Sequence, residues 1–393
     1  MGGAASAGLR VALFAPWHAR CGIANYSQHL VAALRGLPEI ADVRIVEAPQ
    51  GAARGGSLEA VRHFAADARR FHDLGAQMNA EGADLAHVQH QYFFFGGVAP
   101  HKSHIRAFLD AVKVPLVLTA HEIAQPGANA SVMQRTAIAL ANRATFLHPA
   151  IRRLIVHTER DKQHLTVLGV PQDRIHVVTH GIPPAAPMPE AEEAKRALGL
   201  EGKRVVTLFG FLAAKKGHGV ALEALRHLPP DYRLLFAGEP HPDDHTDYVP
   251  NLRALIEVLD VAERVQITGY VPDERLPLLM AATDIAIAPF TQTSGSGSLA
   301  HLLAYARPVV ASDIAPHREI AWESPCCLAL FRSGDPEDLA RQIQAVSADA
   351  ERRAALQAAA RAYAERHSYA QMARETVAVY REALKEGTHA DSH

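Results

Sequence analysis

The stretch Asp284–Ser312, DIAIAPFTQTSGSGSLAHLLAYARPVVAS, decides how the chain is read. It opens on a short apolar run, Asp284–Ala288, and closes on another, Pro308–Ser312. Runs that are apolar throughout, rather than alternating, suit parallel strands buried on both faces. Between them lie a small-residue loop and a segment of helical length, Gly297–Ala306. Strand, loop, helix, strand is one βαβ unit, with the loop at a strand's carboxyl end. Ser294, Gly295, Ser296, Gly297 and Ser298 stand just before or at the start of that helix. Backbone N–H groups and hydroxyls placed there form an anion cradle. A flexible Ser/Gly connector is the alternative; the tight flanking strands argue against it.

Outward from this unit the same rhythm continues. Strands are expected at Arg204–Phe209, Arg233–Ala237 and Val265–Thr268, with helices near His218–His227, Asn251–Leu259 and Asp273–Ala282. Upstream, strands are expected at Arg10–Ala15, Val43–Glu47, Leu85–Val88, Pro115–Thr119, Arg153–His157 and Ile175–Thr179. Helices at Ile23–Arg35, Leu58–Leu74, His101–Val112, Val132–Ala144 and Arg160–Leu168 separate them. The rhythm breaks at Gly181–Glu193, GIPPAAPMPEAEE, whose Pro-rich composition reads as an interdomain linker. The expectation is an α/β chain of two Rossmann-like, doubly wound parallel-sheet domains with a cleft between them. The first spans 1–185, the linker 186–197, the second 198–365, and a closing segment 366–393. His367–Leu384 in that segment has the apolar spacing of an amphipathic helix.

Size and charge agree with this plan. The chain has 393 residues, 48% hydrophobic and 21% charged, with a formal net charge of −2. That length suits two domains of about 170 to 200 residues. The charge gives no electrostatic footprint for nucleic acid. Three cysteines, Cys21, Cys326 and Cys327, make no disulfide framework, so a reducing, cytoplasmic setting is expected. The leader MGGAASAGLR lacks the pattern of a signal peptide. No apolar run reaches the roughly 18 residues of a membrane span.

In open parallel sheets, ligands bind outside the carboxyl ends of the strands. Gly22 follows the first strand and opens a helix, where backbone can approach a ligand closely. His90, with the adjacent Gln91, and His121 fall at later strand ends and are acceptor-binding candidates. Phe93–Phe95 read as core rather than as a binding or membrane surface. In the second domain FGFLAAKKGHG, Phe209–Gly219, reads strand, Gly210, a loop with Lys215 and Lys216, then a helix. It lacks the spacing of a P-loop, but its lysines suit a pyrophosphate. No run of residues has metal-ligand spacing.

These pieces, in this order, resemble the retaining GT-B glycosyltransferases of family 4. The resemblance is carried by CGIANYSQHL, HVQHQYFFFGG, LTAHE, IVHTERDKQHL, VVTHGI, FGFLAAKKG, VQITGYVPDERLPLLMAATDIAIAPF, ARPVVAS and the closing HSYAQMARETVAVYREAL. It implies an acceptor-binding first domain, a second domain binding a nucleotide-sugar, and a last helix that returns to the first domain. It implies that Gly22 lies by the donor phosphates or the acceptor. His121 would sit near the donor sugar, Lys216 would hold the diphosphate, and Gly269, Tyr270 and Val271 would approach the base. His121 and Lys216 are thereby the expected catalytic pair. The donor is expected to be GDP-mannose or a UDP-sugar, with no further cofactor and no metal. The acceptor is expected to be a glycan, a lipid-linked molecule or a small molecule. A peripheral contact with the inner membrane face belongs to the same expectation.

The chain departs from the family pattern twice. Phe211 stands where Arg usually follows the phosphate-loop glycine, and Thr293 and His301 stand where two glutamates are usual. A related branch has a Ser/Gly-rich helix start instead, as at SGSGS; His301 is then a candidate to hydrogen-bond ribose, with a plain helix-surface histidine as the alternative. The missing glutamates keep one alternative open, an inactive scaffold that binds a sugar nucleotide or a partner, and the shared two-domain plan keeps another, an epimerase or phosphorylase of the same fold.

Overall fold

The computed structural model describes residues 8–19, 21–47, 68–79, 82–99, 103–127, 129–240, 247–293 and 296–385. Ser294, Gly295, most of the leader and residues 58–67 of one expected helix lie outside them. The chain divides into two compact units, Met1–Gly181 with Tyr369–His393, and Ile182–Ser368.

The first unit holds β1 (Leu9–Phe14), β2 (Ile40–Val46), β3 (Leu85–His90), β4 (Leu116–Ala120), β5 (Ile151–Val156) and β6 (Ile175–Val177). They form one sheet in the order β2-β1-β3-β4-β5-β6, every pair parallel. The second unit holds β7 (Arg204–Phe209), β8 (Tyr232–Ala237), β9 (Val265–Ile267), β10 (Ile285–Ala288), β11 (Val309–Ser312) and β12 (Ala329–Phe331). Their order is β12-β11-β10-β7-β8-β9, again all parallel. Strand order reverses between β1 and β3 in one sheet and between β7 and β10 in the other. Helices leave opposite faces at such a switch point, which opens a crevice at the carboxyl ends.

Both faces of each sheet are covered, which is why the strands read as continuous apolar runs. In the first unit, Leu30 and Leu34 of the helix Gly22–Arg35 and Met372, Val377 and Tyr380 of the helix Tyr369–Lys385 cover one face. Phe71, Phe108, Phe146 and Leu165 cover the other. Leu222, Leu252 and Leu339 line one face of the second sheet, and Leu279, Leu302 and Tyr363 line its opposite face. Truncating any one of these to Ala costs about 2–5 kcal/mol.

Two expectations change. The stretch 186–197 is not plain linker: Ala191–Ala197 is a helix of the second unit. Its Ala194 is buried against Ala281 and Ala282, and Lys195 Nζ donates to Asp284 at 2.9 Å. The division also falls at Gly181 rather than at residue 185. Edge strand β12 and the helices Ala315–Glu323, Pro336–Ala348 and Ala350–Arg366 stood outside the strand and helix reading. The start of the second of these helices was legible, because Asp335 caps it by accepting from Asp338 N–H and Pro336 follows directly.

Candidate functional site

In the second unit, three expected residues meet at the switch point. Gly210 follows β7 with φ of 120°, and a Cβ there would lie 2.2 Å from Ser298 Oγ. Only glycine meets both conditions. Lys216 closes the short helical turn Ala214–Lys216, and its Nζ donates to Ser298 Oγ at 3.2 Å. The same ammonium lies 3.8 Å from the centroid of the Phe290 ring, a cation–π contact. No carboxylate answers it among the described residues: burial, then neighbouring Lys215, pulls its pKa down to about 7. A negative charge placed beside it would favour its protonated form.

The loops around Lys216 are locked together. Gly217 has φ of 75°, and a Cβ on it would strike the Pro289 carbonyl at 2.0 Å. Thr291 N–H donates to the Lys215 carbonyl at 2.9 Å. Ser296 caps the helix Gly297–Ala304 by accepting from Leu299 N–H at 3.2 Å, while nothing stands within 4 Å of a Cβ on Gly297. The Lys215 side chain is exposed. His301 is half-buried and stacks on Phe209, ring centroids 5.6 Å apart. Gly269, Tyr270 and Val271 follow edge strand β9, at the same end of the sheet but two strands from β7. Gly269 has φ of 71°, and half of Tyr270, 51%, is exposed.

Sequence reasoning did not single out Phe290, Ser312, His218 or His317. Ser312 Oγ donates to the Phe290 carbonyl at 2.5 Å, and His317 Nδ1 donates to the Ser312 carbonyl at 2.8 Å. These bonds hold the loop that carries Phe290 under Lys216. Burial pulls His218 to about 3 and His317 to about 4, and Lys216 adds to both shifts. The flanking imidazoles are therefore neutral near pH 7.

In the first unit, Gly22 starts its helix and is exposed; a Cβ on it would meet nothing within 4 Å. The protein's own packing therefore does not require glycine there. His121 follows β4, its backbone N–H bonded to the His90 carbonyl at 3.0 Å. His121 Nε2 donates to Gln89 Oε1 at 2.8 Å, and its ring lies edge-on to Tyr26, centroids 4.7 Å apart. Burial first, then the neighbouring histidines, keeps its pKa well below the usual value. His157 and His180 continue the group: the His157 ring centroid lies 5.3 Å from that of His121 and 5.5 Å from that of His180. Neither was singled out as a site residue. The strand-end rule used for His90 and His121 applies equally to His157 after β5 and His180 after β6.

His90 itself is corrected. It is 0% exposed, on the opposite face of the sheet, and its ring packs on Tyr92, Phe95 and Phe146. An acceptor cannot reach it, because alternation along β3 turns His90 toward the aromatic core while Gln89 faces the other side. Burial pulls its pKa to about 3. Gln91 is half-buried at the start of the turn Tyr92–Phe95, whose Tyr92, Phe94 and Phe95 are core residues. Among the described residues no group of three or more His, Cys, Asp or Glu is arranged to hold a metal ion. No described helix is long and apolar enough to cross a membrane.

The first unit matches the family described as Glycosyltransferase Family 4 over residues 3–186, and the second matches Glycosyl transferases group 1 over residues 190–363. The chain is 32% identical over 241 residues to the D-inositol 3-phosphate glycosyltransferase of Xylanimonas cellulosilytica, covering 59% of this chain and 57% of that protein. It is 27% identical over 257 residues to the 2-deoxystreptamine glucosyltransferase of Streptomyces kanamyceticus, covering 61% and 62%. The chain thus spans less than two thirds of the length of these curated relatives. Among solved structures it is similar to Anabaena HepE in complex with UDP-glucose, with a TM-score of 0.71 at 18% identity, covering 95% of this chain and 100% of that one. Two Rossmann-like units give the chain the GT-B fold, the first similar to the Glycosyltransferase Family 4 model and the second to the Glycosyl transferases group 1 model.

Proposed function

We propose that the chain is a retaining, metal-independent glycosyltransferase that moves a hexose from a nucleoside diphosphate to an acceptor hydroxyl. One observation carries this reading: Gly210, Lys216 and Ser298 converge beside a capped helix start, around an ammonium that has no carboxylate partner among the described residues. The second unit holds the donor and the first the acceptor. Gly210 lets the backbone approach the diphosphate, and Lys216 and the N–H groups of Gly297 and Ser298 take the charge that grows on the leaving group. Gly269–Val271 contact the base and His301 the ribose. The departing phosphate accepts the proton of the attacking hydroxyl, so the new bond forms on the face from which the diphosphate leaves. His121 and Gly22 serve the sugar and acceptor side of the reaction, with Gln91 at its margin.

The relatives' names support a small polyhydroxylated acceptor: one is named for an inositol phosphate and one for 2-deoxystreptamine. A UDP-sugar and GDP-mannose are the donors to compare. Thermal shifts with UDP, GDP and dTDP identify the base, since a ligand stabilises the fold in proportion to its saturation. Lys216→Ala is expected to abolish that shift and to reduce transfer by at least about 100-fold with the fold intact. Donor turnover that survives this substitution sinks the proposal. Thr293 and His301, in place of the usual glutamates, favour a second reading, a scaffold that binds a sugar nucleotide without turnover. Release of free nucleoside diphosphate by the wild-type chain excludes it, and a sugar phosphate product would instead mark a phosphorylase.

A further inference from the structure

A line of buried polar groups runs through the first unit to His121. Tyr380 Oη, on the helix Tyr369–Lys385, lies 2.7 Å from His87 Nδ1. His87 Nε2 lies 2.7 Å from Thr119 Oγ1 and 3.3 Å from Gln89 Nε2. Gln89 Oε1 lies 2.8 Å from His121 Nε2. Tyr380, His87, Gln89 and Thr119 are each 0% exposed. Around them the same face is apolar, with Val11, Leu13, Met372 and Val377.

The line has a direction. The amide of Gln89 has one accepting and one donating end. Its Nε2–H₂ donates to His87 Nε2, so that nitrogen carries the lone pair and His87 Nδ1–H donates to Tyr380. Its carbonyl end accepts from His121, which must therefore carry its proton on Nε2. Burial keeps the imidazoles neutral, so each exists as one tautomer or the other. A buried network with every member satisfied holds its rotamers firmly.

We propose that Gln89 is a positioning residue: it fixes the ring orientation of His121 and holds it as the Nε2–H tautomer, with Nδ1 as the accepting edge. An accepting edge suits a sugar hydroxyl. The catalytic consequence rests on the role given to His121 above; the tautomer itself does not.

The test uses the full chain labelled with ¹⁵N-histidine, with long-range ¹H–¹⁵N spectra of the rings and His121 assigned by the signal missing in His121→Gln. The wild-type chain is expected to show a protonated Nε2 and an unprotonated Nδ1 at His121. Gln89→Leu should give a mixture of tautomers, and Gln89→Glu, which keeps the acceptor, should retain Nε2–H and raise the His121 pKa. In the transfer assay Gln89→Leu should lower kcat about tenfold with the donor KM unchanged, and Gln89→Glu should recover part of it with a shifted pH profile. An Nδ1–H tautomer in the wild-type chain, or a tautomer indifferent to Gln89→Leu, overturns the proposal. Tautomers that respond as expected while kcat does not would uphold the positioning and overturn the role of His121. Where Gln89→Leu does not fold, the wild-type tautomer and the Glu variant decide.

Discussion

Lys216 shows how much a single side chain's surroundings decide. Burial first, then the neighbouring Lys215, lowers its pKa to about 7. A diphosphate brought to Ser298 favours the charged form and pulls the pKa back up. Above about pH 7 the free protein holds this lysine neutral and the bound protein holds it charged, so binding takes up a proton. Affinity for a nucleoside diphosphate should therefore fall as pH rises from about 7 toward 10, by up to tenfold per unit. Calorimetry in buffers of different ionisation enthalpy reads the uptake at pH 8, and Lys216→Met should remove it. No proton uptake would place the charge on the lysine before the ligand arrives. The residue was legible as a candidate in FGFLAAKKGHG, whereas its neighbours Phe290 and Ser298 come from a segment more than seventy residues on, and only folding sets them around it.

At the scale of elements, the strand-to-helix turns do the work, and two glycines with similar sequence settings differ physically. Gly210 has φ of 120° and Ser298 against its would-be Cβ, whereas Gly22 has open space. Gly210→Ala should lower stability by about 1–3 kcal/mol, read by chemical denaturation, and weaken nucleotide binding. Gly22→Ala should leave stability within about 0.5 kcal/mol, since a surface substitution away from special features changes little. A fall in transfer rate in that stable variant would mark close passage of a ligand over Gly22; unchanged kinetics would leave Gly22 as a turn residue only. Periodicity located nearly all the strands because buried parallel strands are apolar throughout. It missed β12, Ala329–Phe331, and could not tell that Ala191–Ala197 packs on the second unit through Ala194. It gave His90 and His121 the same standing, although alternation along β3 sends His90 into the aromatic core.

At the scale of the whole molecule, chain order and folding unit differ. The helix Tyr369–Lys385 follows the second unit in sequence yet supplies Tyr369, Met372, Val377 and Tyr380 to the core of the first. Without it, Leu30, Leu34 and Val43 lose their cover, and His87 loses the Tyr380 hydroxyl. A chain ending at Ser368 should keep a folded second unit and lose the first, because removing one layer exposes a sheet face. Limited proteolysis should then spare residues 182–368 and digest 8–181. Survival of the first unit would show that the helix is dispensable to its fold.

By itself the sequence determined the number of Rossmann-like units, the direction of their strands, and the lysine and glycines of a candidate phosphate site. These follow from local periodicity and from residue types that turns demand. Tertiary structure alone decided which of these residues meet. It turned His90 inward, set Ser298 against Gly210 and Phe290 beneath Lys216, and bound His121 through Gln89 and His87 to Tyr380, 259 residues further along the chain. Such meetings depend on strand order and on the face each side chain takes, and neither is written in any one stretch of sequence.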